Sequence, residues 1–149
     1  MSVRQISVFL ESKPGHLHRI LETFVSAEVN VRGFLAADTV DYGIVRFVVD
    51  DPDKALSVLQ GMGAAATQND VLCARLKDTP GELSRVLGVL ARHDINVRYS
   101  YSLISTYIAL SVKDVADAEK KLTDEPVELI SQNDLVHPFE VVATARKDR

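Results

Sequence analysis

Pro14-Gly15-His16-Leu17-His18-Arg19-Ile20-Leu21 returns later in the chain as Pro80-Gly81-Glu82-Leu83-Ser84-Arg85-Val86-Leu87, 66 positions on. Fifteen positions beyond each glycine comes Asn30-Val31-Arg32 or Asn96-Val97-Arg98, so the offset holds across the segment. Residues 14 to 32 and 80 to 98 are identical at eight of nineteen positions, which marks an internal duplication. Farther along the offset shortens to 63, pairing Val49 with Val112, Ala55 with Ala118 and Leu59 with Leu122. The second copy has therefore lost three residues near the turn between its middle strands. Gln68-Asn69-Asp70 then recurs as Gln132-Asn133-Asp134.

Working outward, each copy reads as strand, helix, strand, strand, helix, strand. After Gly15 the apolar residues Leu17, Ile20, Leu21, Phe24 and Val25 repeat at helical spacing, and after Gly81 so do Leu83, Val86, Leu87, Leu90 and Ala91. Proline suits the first helical turn, where its missing N–H has no partner, and glycine allows a sharp entry. Asp50-Asp51-Pro52 reads as an N-cap with proline at the first helical position, before Ala55, Leu56, Leu59 and Met62; Asp114, Val115, Ala118 and Leu122 are the counterparts. Val31 to Ala36 and Ile44 to Val49 read as strands, with a hairpin turn expected at Asp41-Tyr42-Gly43. Val45, Phe47 and Val49, and in copy two Ile108, Leu110 and Val112, would face the helices.

This order predicts an α+β chain of two ferredoxin-like βαββαβ units, each an antiparallel sheet with both helices on one face. Domain 1 is expected over residues 1–69 and domain 2 over residues 70–149. Leu135 to Val142 reads as an extra C-terminal edge strand containing Pro138, followed by a short tail.

Composition narrows the function. The 149 residues carry a net charge of −4, and their acidic and basic residues alternate, which supplies no field for nucleic acid. The single cysteine, Cys73, is flanked by Leu72 and Ala74 and reads as a small buried hydrophobe, and no spacing resembles a metal site. No signal peptide and no apolar run of roughly 18 residues is seen, so a cytoplasmic protein without membrane contact is expected. No nucleophile–base pair, paired carboxylates, phosphate loop or cofactor fingerprint emerges, so neither an enzyme nor a cofactor is expected.

The Pro-Gly helix start, the apolar helix face and the Asn-Val strand start, each present twice, resemble the ACT domain, an amino-acid-binding regulatory module. The resemblance covers roughly residues 3 to 134. Similar stretches include Ile6-Ser7-Val8-Phe9-Leu10-Glu11, Ala37 to Gly43 and Val49-Asp50-Asp51-Pro52, in the manner of small free-standing proteins made of two tandem ACT domains. It implies a free amino acid as ligand, bound where the loop of one ACT domain meets the asparagine-bearing strand of another. It also implies a homodimer and an enzyme partner under regulation.

Carried onto this sequence, the first half-site is Lys13, Pro14, Gly15, His16 and Leu17 with Asn30 and Val31. The second is Asp78, Thr79, Pro80, Gly81, Glu82 and Leu83 with Asn96 and Val97. The family commonly places Asp or Asn three residues before the glycine; copy two has Asp78 there and copy one Ser12, so the second half-site is expected to be the better equipped. A helix N-terminus suits a carboxylate, and an asparagine amide can serve both charges of a zwitterion. The bland alternatives stay open: the Pro-Gly pairs as turn chemistry, the asparagines as strand-entry residues, and the whole chain as a protein–protein adaptor or oligomerisation module without ligand.

Overall fold

In the computed structural model, which describes residues 2–38 and 42–139, both Pro-Gly pairs close tight turns rather than begin helices. The His16 N–H donates to the Lys13 carbonyl at 3.3 Å, and the Glu82 N–H donates to the Thr79 carbonyl at 3.3 Å. Gly15 at φ 87°, ψ −11° and Gly81 at φ 84°, ψ −3° take the third position of a type II β-turn. Proline therefore stands one step outside the helix, at the second turn position that its fixed φ favours, and the glycine is the helix N-cap. A Cβ on either glycine would meet nothing within 4 Å, so these positions require glycine for φ and not for space. Gly15→Ala and Gly81→Ala should each cost about 1–2 kcal/mol, the left-handed penalty of an L-residue. Urea denaturation checks this, and a cost near zero would contradict the turn geometry.

Arg4–Asn69 form one compact unit and the described residues from Asp70 onward the core of the other. The first unit holds β1 (Val3–Glu11), α1 (His16–Ser26), β2 (Val31–Asp38), β3 (Tyr42–Val49), α2 (Pro52–Gly61) and the first half of β4 (Ala65–Arg75). Its strand order is β2-β3-β1-β4, with β3 antiparallel to both β1 and β2. The second unit uses the rest of β4, then α3 (Glu82–Arg92), β5 (Tyr99–Ser102), β6 (Tyr107–Ser111), α4 (Val115–Leu122) and β7 (Glu128–Leu129). There β4 pairs with β6 and β7, and β5 pairs with β6, all antiparallel, giving β7-β4-β6-β5. Both are the ferredoxin-like order, fourth strand, first, third, second.

Each core forms where the inward side chains of the sheet meet two helices. In the first unit Ile6, Val8, Val45, Phe47 and Val49 pack with Ile20, Phe24, Ala55 and Leu59. In the second, Leu72, Ala74, Ile108, Leu110 and Val112 pack with Val86, Val89, Leu90, Ala118 and Leu122. Asp51 and Asp114 cap α2 and α4 by accepting the main-chain N–H of Lys54 and Asp117 at 3.1 and 3.0 Å. Cys73 is buried, and that burial pushes its thiol pKa up to about 12.

Four expectations need correction. Tyr42 and Gly43 belong to β3, with Gly43 opposite Asp38, rather than to a turn; Asp41 falls outside the described residues. Val25 is 75% exposed, because the face of α1 that meets the sheet is centred on Ile20 and Phe24. On α3 the buried face is Glu82, Val86, Val89 and Leu90, leaving Leu83 and Leu87 exposed; at 100° per residue positions 82, 86 and 89 share a face that 83 and 87 leave. The expected C-terminal edge strand is absent from the described residues: Gln132–Leu135 form a 3-10 turn and Pro138 and Phe139 are helical. The reason is a capping box, in which Asp134 accepts both the N–H and the hydroxyl of Ser131 at 2.8 and 3.1 Å, while Leu135 is fully buried. Residues 140–149 of that segment lie outside the described residues.

Candidate functional site

A type II turn closes the loop before each helix, and the surroundings of that loop differ between the two copies. In copy one a cleft of about 520 Å3 opens beside the loop. Ser12, Lys13, Pro14, His16 and Leu17 line it from the loop and α1, Leu10 and Glu11 from β1, and Ala36, Ala37, Gly43 and Val45 from β2 and β3. Its lining is mixed, with more apolar than polar surface. Lys13 holds Glu11 at 2.7 Å, and that hydrogen-bonded pair lowers the Glu11 carboxyl below its usual range and raises the lysine. Gly15 forms the turn itself.

In copy two the equivalent loop is closed by its own side chain. Glu82, which replaces His16, is 8% exposed and receives a two-pronged hydrogen bond from Arg85, at 3.0 Å from Nε and 2.7 Å from Nη2. Those bonds hold the Glu82 carboxyl below its usual range against the opposing effect of burial, and the Lys77 main-chain N–H adds to them. Arg85 also donates to the Pro126 carbonyl at 2.5 Å. Asp78, Thr79 and Pro80 stand exposed on the loop, and Leu83 is 44% exposed.

The asparagines occupy another end of each unit. Asn30 is clipped through its main chain to the start of α2: its N–H donates to Asp50 Oδ1 at 2.9 Å, and its carbonyl accepts the Asp50 N–H at 3.0 Å. Its side-chain amide is exposed and, among the described residues, makes no hydrogen bond. Lys113 replaces Asp50 in copy two, and Asn96 there lines a cavity of about 450 Å3 with Asp94, Arg98, Lys113, Asp114, Asp117 and Lys121 among others. Val31 and Val97 follow the asparagines inward and pack on their respective cores. In the first unit, then, the loop residues line a cleft whose lining does not include Asn30, and in the second Glu82 and Asn96 line different cavities.

The sequence reading assigned no role to Arg19 and Arg85, although the arginine recurs in both copies and Arg85 makes the densest set of contacts at the second loop. It also passed over Leu10, Ala36 and Val45, which are strand residues whose place at the cleft depends on sheet pairing. Among the described residues, no three His, Cys, Asp or Glu side chains are grouped to hold a metal ion, and no helix is long and apolar enough to cross a membrane.

No curated protein matches the sequence. Protein BT0572 from Bacteroides thetaiotaomicron has a similar structure, with a TM-score of 0.85 and 29% identity over 91% of this chain and 96% of that one. The ligand-free regulatory subunit of aspartate kinase from Thermus thermophilus shares the fold at a TM-score of 0.62 and 16% identity, over 82% of this chain and 89% of that one. The corresponding subunit from Thermus flavus follows at 0.58 and 16%, over 81% and 88%. The sequence matches the ACT domain pair family over residues 1–137, and that span includes both type II turns, both helical faces and both asparagine strands. The chain belongs to the ACT domain family, as an ACT domain pair.

Proposed function

We propose that this protein is a regulatory sensor of a free amino acid, acting on a partner enzyme or through its own association rather than by catalysis. The observation that carries the reading is the copy-one cleft, whose lining brings polar Ser12, Lys13 and His16 together with apolar Leu10, Leu17, Ala36, Ala37 and Val45. Such a pairing suits the charged end and the carbon side chain of a small amino acid. In this proposal a second chain supplies the free Asn30 amide across a dimer interface. The first half-site ranks above the second, the reverse of the order that Asp78 suggests, because Glu82 and Arg85 already fill the second loop.

Exposed Leu83 and Leu87 on α3 favour one further reading, an oligomerisation module without ligand. Thermal-shift or calorimetric screening of the twenty amino acids separates the two. A ligand at a hundred times its dissociation constant adds about 2.7 kcal/mol of stability. We expect one amino acid to do so, with binding weakened more by Lys13→Ala or Asn30→Ala than by Asp78→Ala or Asn96→Ala. No response to any of the twenty would refute the sensor reading.

A further inference from the structure

The duplication supplies its own comparison at a second pocket, on the β4 side of α1. In copy two a cavity of about 320 Å3 is lined by Arg75, Lys77, Glu82, Arg85 and residues 125–128. Shifted by the repeat offsets of 66 and 63, these positions become Phe9, Glu11, His16, Arg19 and residues 62–65. All of them line a single copy-one cavity of about 570 Å3. The two cavities are the same place in the fold with different contents.

In copy two the place is filled from within. The Glu82 carboxylate lies in the fork of Arg85 and accepts the Lys77 N–H, Arg85 reaches the Pro126 carbonyl, and Glu128 lies 3.4 Å from Arg75. In copy one the cation is kept and its anion is gone. Arg19 stands where Arg85 does, the Glu11 N–H where that of Lys77 does, and His16 where Glu82 does. Among the described residues the Arg19 guanidinium has no carboxylate partner. The surrounding charges are replaced as well: Phe9, 50% exposed, takes the place of Arg75, Met62 that of Glu125 and Ala65 that of Glu128.

We infer that the copy-one pocket binds a small monocarboxylate with an apolar body, its carboxylate taking the position that Glu82 fills in copy two. The Arg19 fork and the Glu11 N–H receive the two oxygens, and Phe9, Ile20, Met62 and Ala64 enclose the carbon skeleton. The cations facing the pocket are Arg19 and Lys13, and Glu11, held by Lys13, is the opposing anion, which leaves charge for one carboxylate and not two. This site does not rest on the proposed amino-acid cleft, because it needs no ammonium group and no second chain.

The test is a nitrogen-15 NMR titration of the full chain with sodium 3-phenylpropionate, with neutral 3-phenylpropanamide as the control. We expect saturable shifts of the Glu11 amide and the Arg19 Nε–H with the acid and none with the amide. Binding should weaken at least tenfold in Arg19→Gln. It should vanish in His16→Glu, which installs the copy-two carboxylate and should also raise the thermal midpoint. Absence of saturable shifts at these two groups, equal response to the amide, or unchanged binding in both variants would overturn the inference. Should either variant fail to fold, the acid–amide comparison on the unaltered chain decides alone. An amino acid that binds while 3-phenylpropionate leaves Arg19 unmoved would sink this site and keep the sensor reading; the converse result would do the opposite.

Discussion

Replacing Phe47 with alanine should destabilise the first unit by about 3–5 kcal/mol. The side chain is fully buried on β3, opposite Ile6 of β1 and Phe34 of β2. It meets Phe24 of α1 edge to face at 5.2 Å between ring centres, a geometry worth about 0.5–1.5 kcal/mol beyond burial. Phe47 thus joins three strands to the helix that carries the loop, and its loss leaves a cavity that neighbours on four elements cannot all collapse to fill. Against a typical domain stability of about 5–15 kcal/mol this is a large fraction. Phe34, which stacks on Phe47 at 6.5 Å but is 53% exposed, should cost much less when truncated. Urea unfolding monitored by circular dichroism measures both, and equal losses at the two positions would contradict this core.

Leu90→Ala should cost about 2–5 kcal/mol, whereas Leu87→Ala should cost about 1 kcal/mol or less. Leu90 is 1% exposed and packs in the second core with Val86 and Val89; Leu87, one helical turn from Leu83, is 38% exposed. The two leucines are chemically the same and three residues apart, so the comparison isolates the rotation of α3 about its axis. Equal costs would mean that the helix presents to its sheet the face expected from sequence alone.

That rotation shows where sequence reasoning stops. The periodic pattern in α3 admits two adjacent stripes, one through Leu83 and Leu87 and one through Val86, Val89 and Leu90, and hydrophobicity alone does not choose between them. The face that meets the sheet includes Glu82, which the sequence pattern assigns to the candidate loop, beside Val86, Val89 and Leu90. The Glu82 carboxylate is held there by Arg85 and the Lys77 N–H, contacts that depend on the fold around the loop. The candidate site was legible to a similar extent. The loop residues and asparagines stand out as a repeated pattern, but the cleft that the first loop borders is finished by Ala36, Ala37 and Val45, whose contribution depends on strand register.

The sequence showed the duplication directly, and local chemistry determined the succession of helices and strands, the two aspartate caps and the glycine turns. These last three depend on residues within a few positions of one another, where propensity and hydrogen bonding act without help from distant parts of the chain. Tertiary structure decided the fate of sequences that are locally alike. Thr67-Gln68-Asn69-Asp70 and Ser131-Gln132-Asn133-Asp134 share one capping pattern, yet the first lies in β4, where Gln5 donates to Asn69 at 3.2 Å, and the second closes a 3-10 turn. Equally, only the fold shows that Glu82 fills one copy of a pocket while the corresponding place beside His16 stands open, because both outcomes depend on side chains that meet only after the chain has folded.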